Sequence, residues 1–179
     1  MLKVTGIRYY PIKSCGGIDV ESACVESRGI EYDRRFMLVD ANNRFVTQRQ
    51  HPKMAHIGVS CEGDDFVVSA PDRRNLQLPK QPEYSEQARV KIWRGLVEAS
   101  VADSKTNAWF SDYMSLPVRL VYMNDDQHRA VPNESAEFDD EVSFADGAPL
   151  LLTSEGSLNE LNSRLDAAIA MNRFDKSYG

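Results

Sequence analysis

Residues 35–47 read Arg35-Phe-Met-Leu-Val-Asp-Ala-Asn-Asn-Arg-Phe-Val-Thr47, and they contain the clearest strand signal of the sequence. The segment 35–39 is continuously apolar after Arg35, as expected of a β-strand that is buried on both faces. The following residues, 40–44, include the Asp and Asn side chains that favour a tight turn. A second extended segment, 45–47, comes directly after that turn. The stretch therefore predicts short β-strands joined by turns rather than a helical domain.

The same alternation continues on both sides of this stretch, up to about residue 101. Gly63 and Gly95 each lie between two apolar segments, which is typical of β-hairpins. About eight short strands at this spacing predict a mainly β fold, built as an antiparallel barrel or sandwich. The predicted strands are 2–10, 18–25, 35–39, 45–47, 57–61, 66–70, 90–93 and 96–101.

Two helices interrupt the strand pattern. Asp103 can cap the first helix, whose aromatic residues share one face, and Pro117 ends it before a strand over 118–122. The second helix follows an apolar strand predicted at 149–153. Its cap is Ser154 or Ser157, and Ser157 with Glu160 fits a capping box. The residues predicted to form its buried stripe are Leu158, Leu161, Leu165 and Ile169.

The composition fits a globular protein and excludes several classes. The 179 residues are 42% apolar, and 27 acidic against 21 basic residues give a net charge of −6. A net acidic chain does not predict a nucleic-acid partner, and no apolar window of about 18 residues predicts a membrane span. Three cysteines without Cys-x-x-Cys spacing argue against a disulfide framework or a structural zinc site. We therefore expect a cytoplasmic protein, with Cys24 and Cys61 in its core.

The charge is unevenly distributed along the chain. Residues 1–53 contain nine basic and six acidic residues, which gives +3, whereas 124–160 contain Arg129 against ten acidic residues, which gives −9. A basic first third predicts an anionic ligand site, although ordinary solvated strand residues are the alternative. The acidic stretch 134–141 is predicted to be an exposed connection between two structural units, 1–124 and 125–179.

The most informative motif is Tyr10-Pro-Ile-Lys-Ser-Cys-Gly-Gly17. A strand ends at a proline, and Lys13 and Ser14 are then presented before a flexible glycine pair. An ammonium, a hydroxyl and nearby backbone N–H groups suit a phosphate or a carboxylate. Cys15, beside them, is expected to be a small packed residue. A purely structural loop is the alternative interpretation.

A second motif, Asp33-Arg-Arg-Phe36, lies at the entry of the most apolar strand. An arginine at the mouth of a buried strand is costly to desolvate without a partner. The planar guanidinium of such an arginine matches a phosphate bidentately. An internal ion pair with Asp33 or Glu31 is the alternative.

Four motifs, in this order and spacing, resemble those of a known family. They are Tyr10-Pro-Ile-Lys-Ser-Cys15, Asp33-Arg-Arg-Phe-Met-Leu-Val-Asp40, Phe45-Val-Thr-Gln-Arg-Gln50 and Phe144-Ala-Asp-Gly-Ala-Pro-Leu-Leu-Leu-Thr-Ser-Glu-Gly-Ser-Leu-Asn-Glu-Leu-Asn162. The sequence resembles MOSC proteins with the MOSC N-terminal β-barrel domain, which include molybdenum-cofactor amidoxime and N-hydroxylaminopurine reductases. The resemblance extends from Val4 to about Phe174.

The resemblance implies a site and a cofactor, the molybdenum cofactor (molybdopterin). In such enzymes the Lys-Ser pair after the first strand contacts the molybdopterin, and the arginine before the aromatic residue of the buried strand reaches it too. The segment before the Pro-Leu-Leu-Leu run lies against the pterin. Molybdenum-ion and pyridoxal phosphate binding are implied as well. The implied cofactor-binding residues are Lys13, Ser14, Arg35, Asp146, Gly147 and Ala148.

The resemblance also implies the architecture, which is mainly β (α+β). A MOSC N-terminal antiparallel β-barrel-like domain with two helices would occupy 1–124, and 125–179 would hold the first strand and helix of an incomplete MOSC domain. The family continues with Phe-Arg-Pro-Asn and a barrel that carries the molybdenum-ligating cysteine. Here Asp175 follows Phe174, and the cysteine has no counterpart. We therefore expect an inactive N-terminal fragment and assign no catalytic residue and no metal ligand.

Two hypotheses of different classes follow. The first is the N-terminal part of an oxidoreductase that reduces small N-hydroxylated compounds, with electrons from a redox partner protein or a downstream ferredoxin-like domain. The second is a standalone binding domain for a small phosphate-bearing anion or a protein partner. In either case, the leucines of the second helix are expected to dock on the barrel or to drive self-association, since each exposed leucine forfeits about 2 kcal/mol of burial.

Overall fold

A computed structural model describes residues 1–131 and 140–174 of the chain. The described residues form eleven strands, two α-helices and two 3₁₀ helices, Pro52–His56 and Met171–Arg173. The α-helices are α1 (Ser104–Met114) and α2 (Glu155–Asn162). The strands are β1 (Ile7–Tyr9), β2 (Ile18–Val20), β3 (Val25–Glu26), β4 (Gly29–Ile30), β5 (Phe36–Val39), β6 (Gly58–Glu62), β7 (Asp65–Ser69), β8 (Leu76–Pro79), β9 (Gln87–Ile92), β10 (Gly95–Val101) and β11 (Arg119–Tyr122).

All of these strands pair antiparallel, which confirms the predicted mainly β fold. The largest sheet has four strands in the order β5-β11-β10-β9, and a second sheet has the order β6-β7-β8. Two smaller ribbons pair β1 with β2 and β3 with β4. A parallel bridge between Ile12 and Phe36 joins the first loop to β5, an edge strand of the four-stranded sheet. The four-stranded sheet therefore presents β5 to the loop that carries Lys13.

Strand β5 is buried on both faces, as its continuous apolar sequence predicts. Phe36 and Leu38 belong to one apolar cluster, which also contains Phe66 and Phe110. Met37 and Val39 belong to a second cluster on the other face of the sheet. Because successive side chains of a strand point to opposite faces, this one strand joins both halves of the core.

The hairpins and the first helix follow their local sequence signals. β6 pairs with β7 across a turn at Gly63, whose φ of 59° favours glycine. β9 pairs with β10 across a turn that ends at Gly95, the first residue of β10. Asp103 caps α1 by accepting a hydrogen bond of 2.8 Å from the N–H of Thr106. The helix ends before Pro117, and β11 follows it, as predicted.

The first two predicted strands are shorter in the structure. The predicted strand 2–10 is reduced to β1, because 2–6 have no neighbouring strand among the described residues and Leu2 is fully exposed. The predicted strand 18–25 divides into β2 and β3, which pair with different partners. Strand propensity alone did not show where the neighbouring strands, and therefore the pairing, would end.

The predictions for the C-terminal region were partly wrong. Residues 149–153 form no strand, and the described chain offers them no neighbouring strand. Helix α2 begins at Glu155, because Ser154 accepts a hydrogen bond of 3.0 Å from the N–H of Ser157. No residue of α2 is buried, and Leu165 and Ile169 lie beyond its end. The predicted buried stripe and its docking on the barrel are therefore not observed.

Two cysteine predictions were also wrong, whereas the third was confirmed. Cys24 and Cys61 are exposed, because Cys24 precedes the exposed strand β3 and Cys61 lies beside the turn of the β6–β7 hairpin. Cys15 is buried in the larger cluster. The predicted acidic connection 134–141 lies mostly outside the described residues, as does Asp175.

Candidate functional site

The loop that carries Lys13 is fixed by its backbone. The N–H of Lys13 donates to the carbonyl of Phe36 at 2.8 Å, and the N–H of Gly16 donates to the carbonyl of Ile57 at 2.8 Å. A Cβ at Gly16 would lie 2.9 Å from the Ile57 oxygen, so the close approach requires glycine. The loop is therefore held between strand β5 and the start of the β6–β7 hairpin.

The Lys13 side chain is directed into the protein and is only 2% exposed. Its ammonium donates to the carbonyl of Phe144 at 2.8 Å and forms an ion pair with Asp146. It also lies 5.9 Å from the centroid of the Phe45 ring. Two of the residues implied by the family resemblance, Lys13 and Asp146, are thus in direct contact.

Arg34 and Arg129 contact the same segment of chain as Lys13. The Arg34 guanidinium donates to the carbonyl of Pro149 at 3.0 Å and pairs with Asp33 at 2.7 Å. The Arg129 guanidinium donates to the carbonyls of Ser143 and Ala145, both at 2.7 Å. We call Lys13, Arg34 and Arg129 the cation cluster and residues 143–149 the bound segment.

The electrostatics of the cation cluster are those of a buried site with excess positive charge. Burial lowers the pKa of Lys13 to about 8, against the opposing effect of the Asp146 carboxylate. Arg34 and Arg129 lower the pKa of Lys13 further, whereas burial raises the pKa of Asp33. Three cations face the carboxylates of Asp33 and Asp146, which leaves one uncompensated positive charge when all five groups are ionised. Such a site attracts an anion.

The other residues implied by the resemblance lie around this cluster without joining its contacts. Ser14 is half-buried, adopts a left-handed φ of 66°, and its hydroxyl makes no hydrogen bond to any described residue. Gly147 and Ala148 lie in the bound segment and are exposed. Their backbone carries the chain from Asp146 to Pro149, where Arg34 holds it.

Arg35 has different surroundings from Lys13. Its guanidinium donates to the carbonyl of Met123 at 3.0 Å, pairs with Asp125, and lies 5.6 Å from the Tyr122 ring centroid. A small cavity of about 30 Å³ beside it is lined by Glu26 and Glu31 as well as Asp125. Carboxylates surrounding one guanidinium disfavour an anion. Arg35 forms an internal ion pair, but with Asp125, whereas the expected pair with Asp33 forms at Arg34.

Lys13 and Arg35 were predicted to converge on one site, but in the structure they contact different groups. Arg34, the preceding residue, holds the same bound segment as Lys13 instead, and its backbone adopts a left-handed φ of 50°. Two adjacent arginines carry no sequence signal that tells which one turns toward the loop. The sequence does distinguish Arg129, which is the single basic residue of the acidic stretch 124–160.

Trp93 is a further residue of the site that sequence reasoning did not assign. It lies in the turn between β9 and β10, and its indole Nε1 donates to Asp146 Oδ1 at 2.9 Å. The ring packs against Phe45 with 5.0 Å between centroids, and the Arg49 guanidinium lies 5.0 Å from its centroid. The hydrophobic pattern predicted only strand packing for Trp93, because a contact across the fold leaves no local signal.

The described residues provide no metal centre of their own. No group of three or more His, Cys, Asp or Glu side chains within 1–131 and 140–174 could hold a metal ion. Burial raises the pKa of the Cys15 thiol, which keeps it protonated and therefore a poor metal ligand. In the same residues, neither α-helix has the length and apolar character needed to cross a membrane.

Comparisons with known proteins point to one family. A family model described as the MOSC N-terminal beta barrel domain matches residues 1–117. Mitochondrial amidoxime-reducing component 1 of Mus musculus is 32% identical over 177 residues, which cover 92% of this chain and 51% of the mouse protein. The Homo sapiens protein of the same name is 29% identical over 174 residues, which cover 92% of this chain and 52% of the human protein.

Two further similarities extend the comparison. Molybdenum cofactor sulfurase of Oryza sativa subsp. japonica is 27% identical over 176 residues, covering 93% of this chain and 21% of the rice protein. A Bordetella bronchiseptica protein solved in solution matches with a TM-score of 0.52 and 19% identity, covering 66% of this chain and 89% of that chain. That likeness supports the fold alone. The chain spans about half the length of the amidoxime-reducing components that it matches.

Proposed function

Because this chain belongs to the family of the MOSC N-terminal β-barrel domain, we propose that it forms the N-terminal half of a molybdenum-cofactor oxidoreductase. The amidoxime-reducing components among its relatives support this reaction class. The substrate would be a small N-hydroxylated compound, and a redox partner protein or a downstream ferredoxin-like domain would supply the electrons. The reaction class, the substrate, the electron source and the cytoplasmic location expected from the sequence all stay predictions. The amidoxime-reducing components among the relatives are named as mitochondrial proteins.

The cation cluster is the observation that carries the proposal. Molybdopterin bears a phosphate, and a buried ammonium with two guanidinium groups is a favourable environment for phosphate oxygens. The Arg34 Nε is buried and has no hydrogen-bond acceptor among the described residues. A buried donor without an acceptor is costly unless a ligand supplies one. The donor set therefore fits a phosphate-bearing group.

Each residue of the site has a distinct role in this proposal. Lys13 and Arg34 would hold the phosphate, and the Ser14 hydroxyl would supply a further donor. Arg129 would position the bound segment by holding the carbonyls of Ser143 and Ala145. When bound, the cofactor would supply the redox-active metal needed to reduce an N-hydroxylated substrate. Pyridoxal phosphate, a second phosphate ester, stays a prediction for the same cations.

Binding measurements on the chain test the proposal. Isothermal titration with isolated molybdopterin should give saturable binding that Lys13→Gln and Arg34→Gln each weaken at least about tenfold, as expected for a lost charge-assisted hydrogen bond. Lys80→Gln, which removes a half-buried lysine bound to the carbonyl of Gly63, is the matched control and should bind normally.

Two outcomes would contradict the proposal. Equal binding by Lys13→Gln and the unchanged chain would exclude the cation cluster as the site. If Arg35→Gln rather than Arg34→Gln abolished binding, the site would lie at the acidic cavity instead. The 179-residue chain with added cofactor should not reduce N-hydroxylaminopurine, and robust turnover would refute the view that it is only half of the enzyme.

The alternative function, a standalone domain that binds a small phosphate-bearing anion, would also depend on phosphate binding by this chain. The cation cluster supports it equally, because all three cations lie within the described residues. Binding of small phosphate esters with the same affinity as molybdopterin would favour this alternative. A clear preference for molybdopterin would favour the oxidoreductase.

A further inference from the structure

Two donors converge on one oxygen of Asp146. The Lys13 ammonium and the Trp93 indole N–H both donate to Asp146 Oδ1, the latter at 2.9 Å. The carboxylate therefore lies between a buried cation and a surface aromatic ring. It occupies the place on Lys13 where an anionic ligand would bind.

The three residues lead from the interior to the surface. Lys13 is 2% exposed, the Asp146 side chain is 21% exposed, and Trp93 is 39% exposed. A ligand that approaches from solvent on this side reaches the carboxylate and the indole before it reaches the ammonium. Entry to the buried cation on this side therefore depends on how firmly Asp146 is held.

The conformation of Trp93 indicates that its side chain is required at this place. Its φ of 52° lies in the left-handed region, which is unfavourable for a bulky residue and common for glycine in such turns. Such strain persists only where the surrounding structure imposes it. Here Phe45 packs against the indole, Arg49 lies over it, and Asp146 accepts its hydrogen bond. These contacts fix the indole over the carboxylate.

We propose that Asp146, positioned by Trp93, is an internal counter-anion on Lys13 that an incoming phosphate group must displace. This inference rests on the proposed function, since it concerns the same cation cluster. A buried ammonium without a counter-charge is costly, so the carboxylate stabilises the cluster until a ligand arrives. A dianion that replaces the single charge of Asp146 gains attraction, whereas a monocarboxylate gains none. The arrangement therefore selects phosphate-like dianions.

Tryptophan fluorescence provides a direct test. Trp93 and Trp109 are the two tryptophans of the chain, so Trp109→Phe makes Trp93 the single reporter. Sulfate serves as the probe, because it is a phosphate-sized dianion whose charge is constant near neutral pH. At about pH 6, where Lys13 is protonated, sulfate should produce a saturable change in Trp93 emission. Acetate should produce none, and Lys13→Gln should abolish the sulfate response.

Variants of the counter-anion give the decisive measurement. Asp146→Asn should bind sulfate about tenfold more tightly by calorimetry, because the competing charge is gone while the side-chain size is kept. Trp93→Phe, which removes the N–H donor, should bind sulfate about threefold more tightly. Asp112 lies on α1 and forms an exposed ion pair with Arg73. Asp112→Asn removes an equal charge there, and the sulfate affinity of this variant should be unchanged.

The outcomes separate the inference from the proposed function. If the unchanged chain binds sulfate and Asp146→Asn and Trp93→Phe bind it no more tightly, the counter-anion is refuted while the cation cluster stands. If no variant binds sulfate or molybdopterin, the proposed function itself fails. Should Asp146→Asn not fold, Trp93→Phe decides the question, since a purely structural role would lower rather than raise its sulfate affinity.

Discussion

At the scale of single residues, Lys13 and Arg34 hold the same segment but differ in chemistry. An arginine keeps its charge at every accessible pH, whereas a buried lysine changes its pKa readily. Lys13 is the titratable member of the cation cluster, and its ammonium faces Asp146 directly with Arg34 and Arg129 nearby. Its protonation state therefore controls whether the site attracts an anion.

Sulfate affinity should consequently fall as pH rises through about 8, the pKa of Lys13, and not near the ordinary lysine value of 10.5. Replacing Lys13 with arginine should move this loss to a much higher pH, because the guanidinium stays charged. Calorimetric titrations with sulfate between about pH 6 and pH 10 measure both profiles. A midpoint that is the same in both proteins would show that another group controls binding.

The lowered pKa of Lys13 also determines how its contribution to stability changes with pH. Since the pKa of Lys13 is lower in the folded than in the unfolded chain, the folded state holds fewer protons between about pH 8 and 10.5. The contribution of Lys13 to the free energy of unfolding therefore becomes more favourable as pH rises through that interval. The site thus loses anion affinity in the interval where this contribution to stability grows.

At the scale of elements, local signals were reliable and signals that need a distant partner were not. The β6–β7 hairpin, the Asp103 cap and the buried strand β5 follow from neighbours in sequence. The predicted strand 149–153 failed because a strand also needs a second strand to accept its hydrogen bonds. The apolar residues 149–153 favour an extended backbone, but they do not provide the second strand.

The same distinction explains the candidate site. Lys13 could be predicted from its loop, because proline and glycine punctuation marks where a strand ends. The pairing of Lys13 with Asp146 joins residues that lie 133 positions apart, and the resemblance to a family indicated both without indicating their contact. The choice between Arg34 and Arg35 depends on a left-handed backbone at Arg34, and the sequence has no glycine or asparagine there to announce it.

The capping of α1 gives a prediction at this scale. Asp103→Ala should lower the free energy of unfolding by about 1 kcal/mol, because it removes the acceptor of the Thr106 N–H. That hydrogen bond lowers the pKa of Asp103 in the folded chain. The stabilisation is therefore complete above the unfolded pKa of about 3.9 and is lost as pH falls through the lower folded value.

Urea unfolding near neutral pH and in strong acid measures this effect. Asp112→Ala, on the exposed side of the same helix, is the control and should change the free energy of unfolding by no more than about 0.5 kcal/mol. Equal effects of the two substitutions would mean that the cap contributes nothing specific.

At the scale of the whole molecule, burial ends abruptly along the chain. Val142, Phe144 and Ala145 are buried against the barrel, whereas no residue from Gly147 to Phe174 is buried. Three consecutive leucines lie just past this boundary, with exposed fractions of 52%, 66% and 93% at Leu150, Leu151 and Leu152. A contiguous apolar surface of this kind favours association with another surface.

The 179-residue chain should therefore self-associate as its concentration rises, because burying each leucine is worth about 2 kcal/mol. Leu150→Ser, Leu151→Ser and Leu152→Ser combined should keep the chain monomeric in sedimentation velocity over the same concentration series. Since these side chains contribute little to the barrel core, the free energy of unfolding should stay within about 0.5 kcal/mol of the unchanged chain. Leu96→Ser, on β10, removes a leucine about as exposed as Leu150 from the barrel and should leave association intact. Association of the triple variant like that of the unchanged chain would place the contact elsewhere on the molecule.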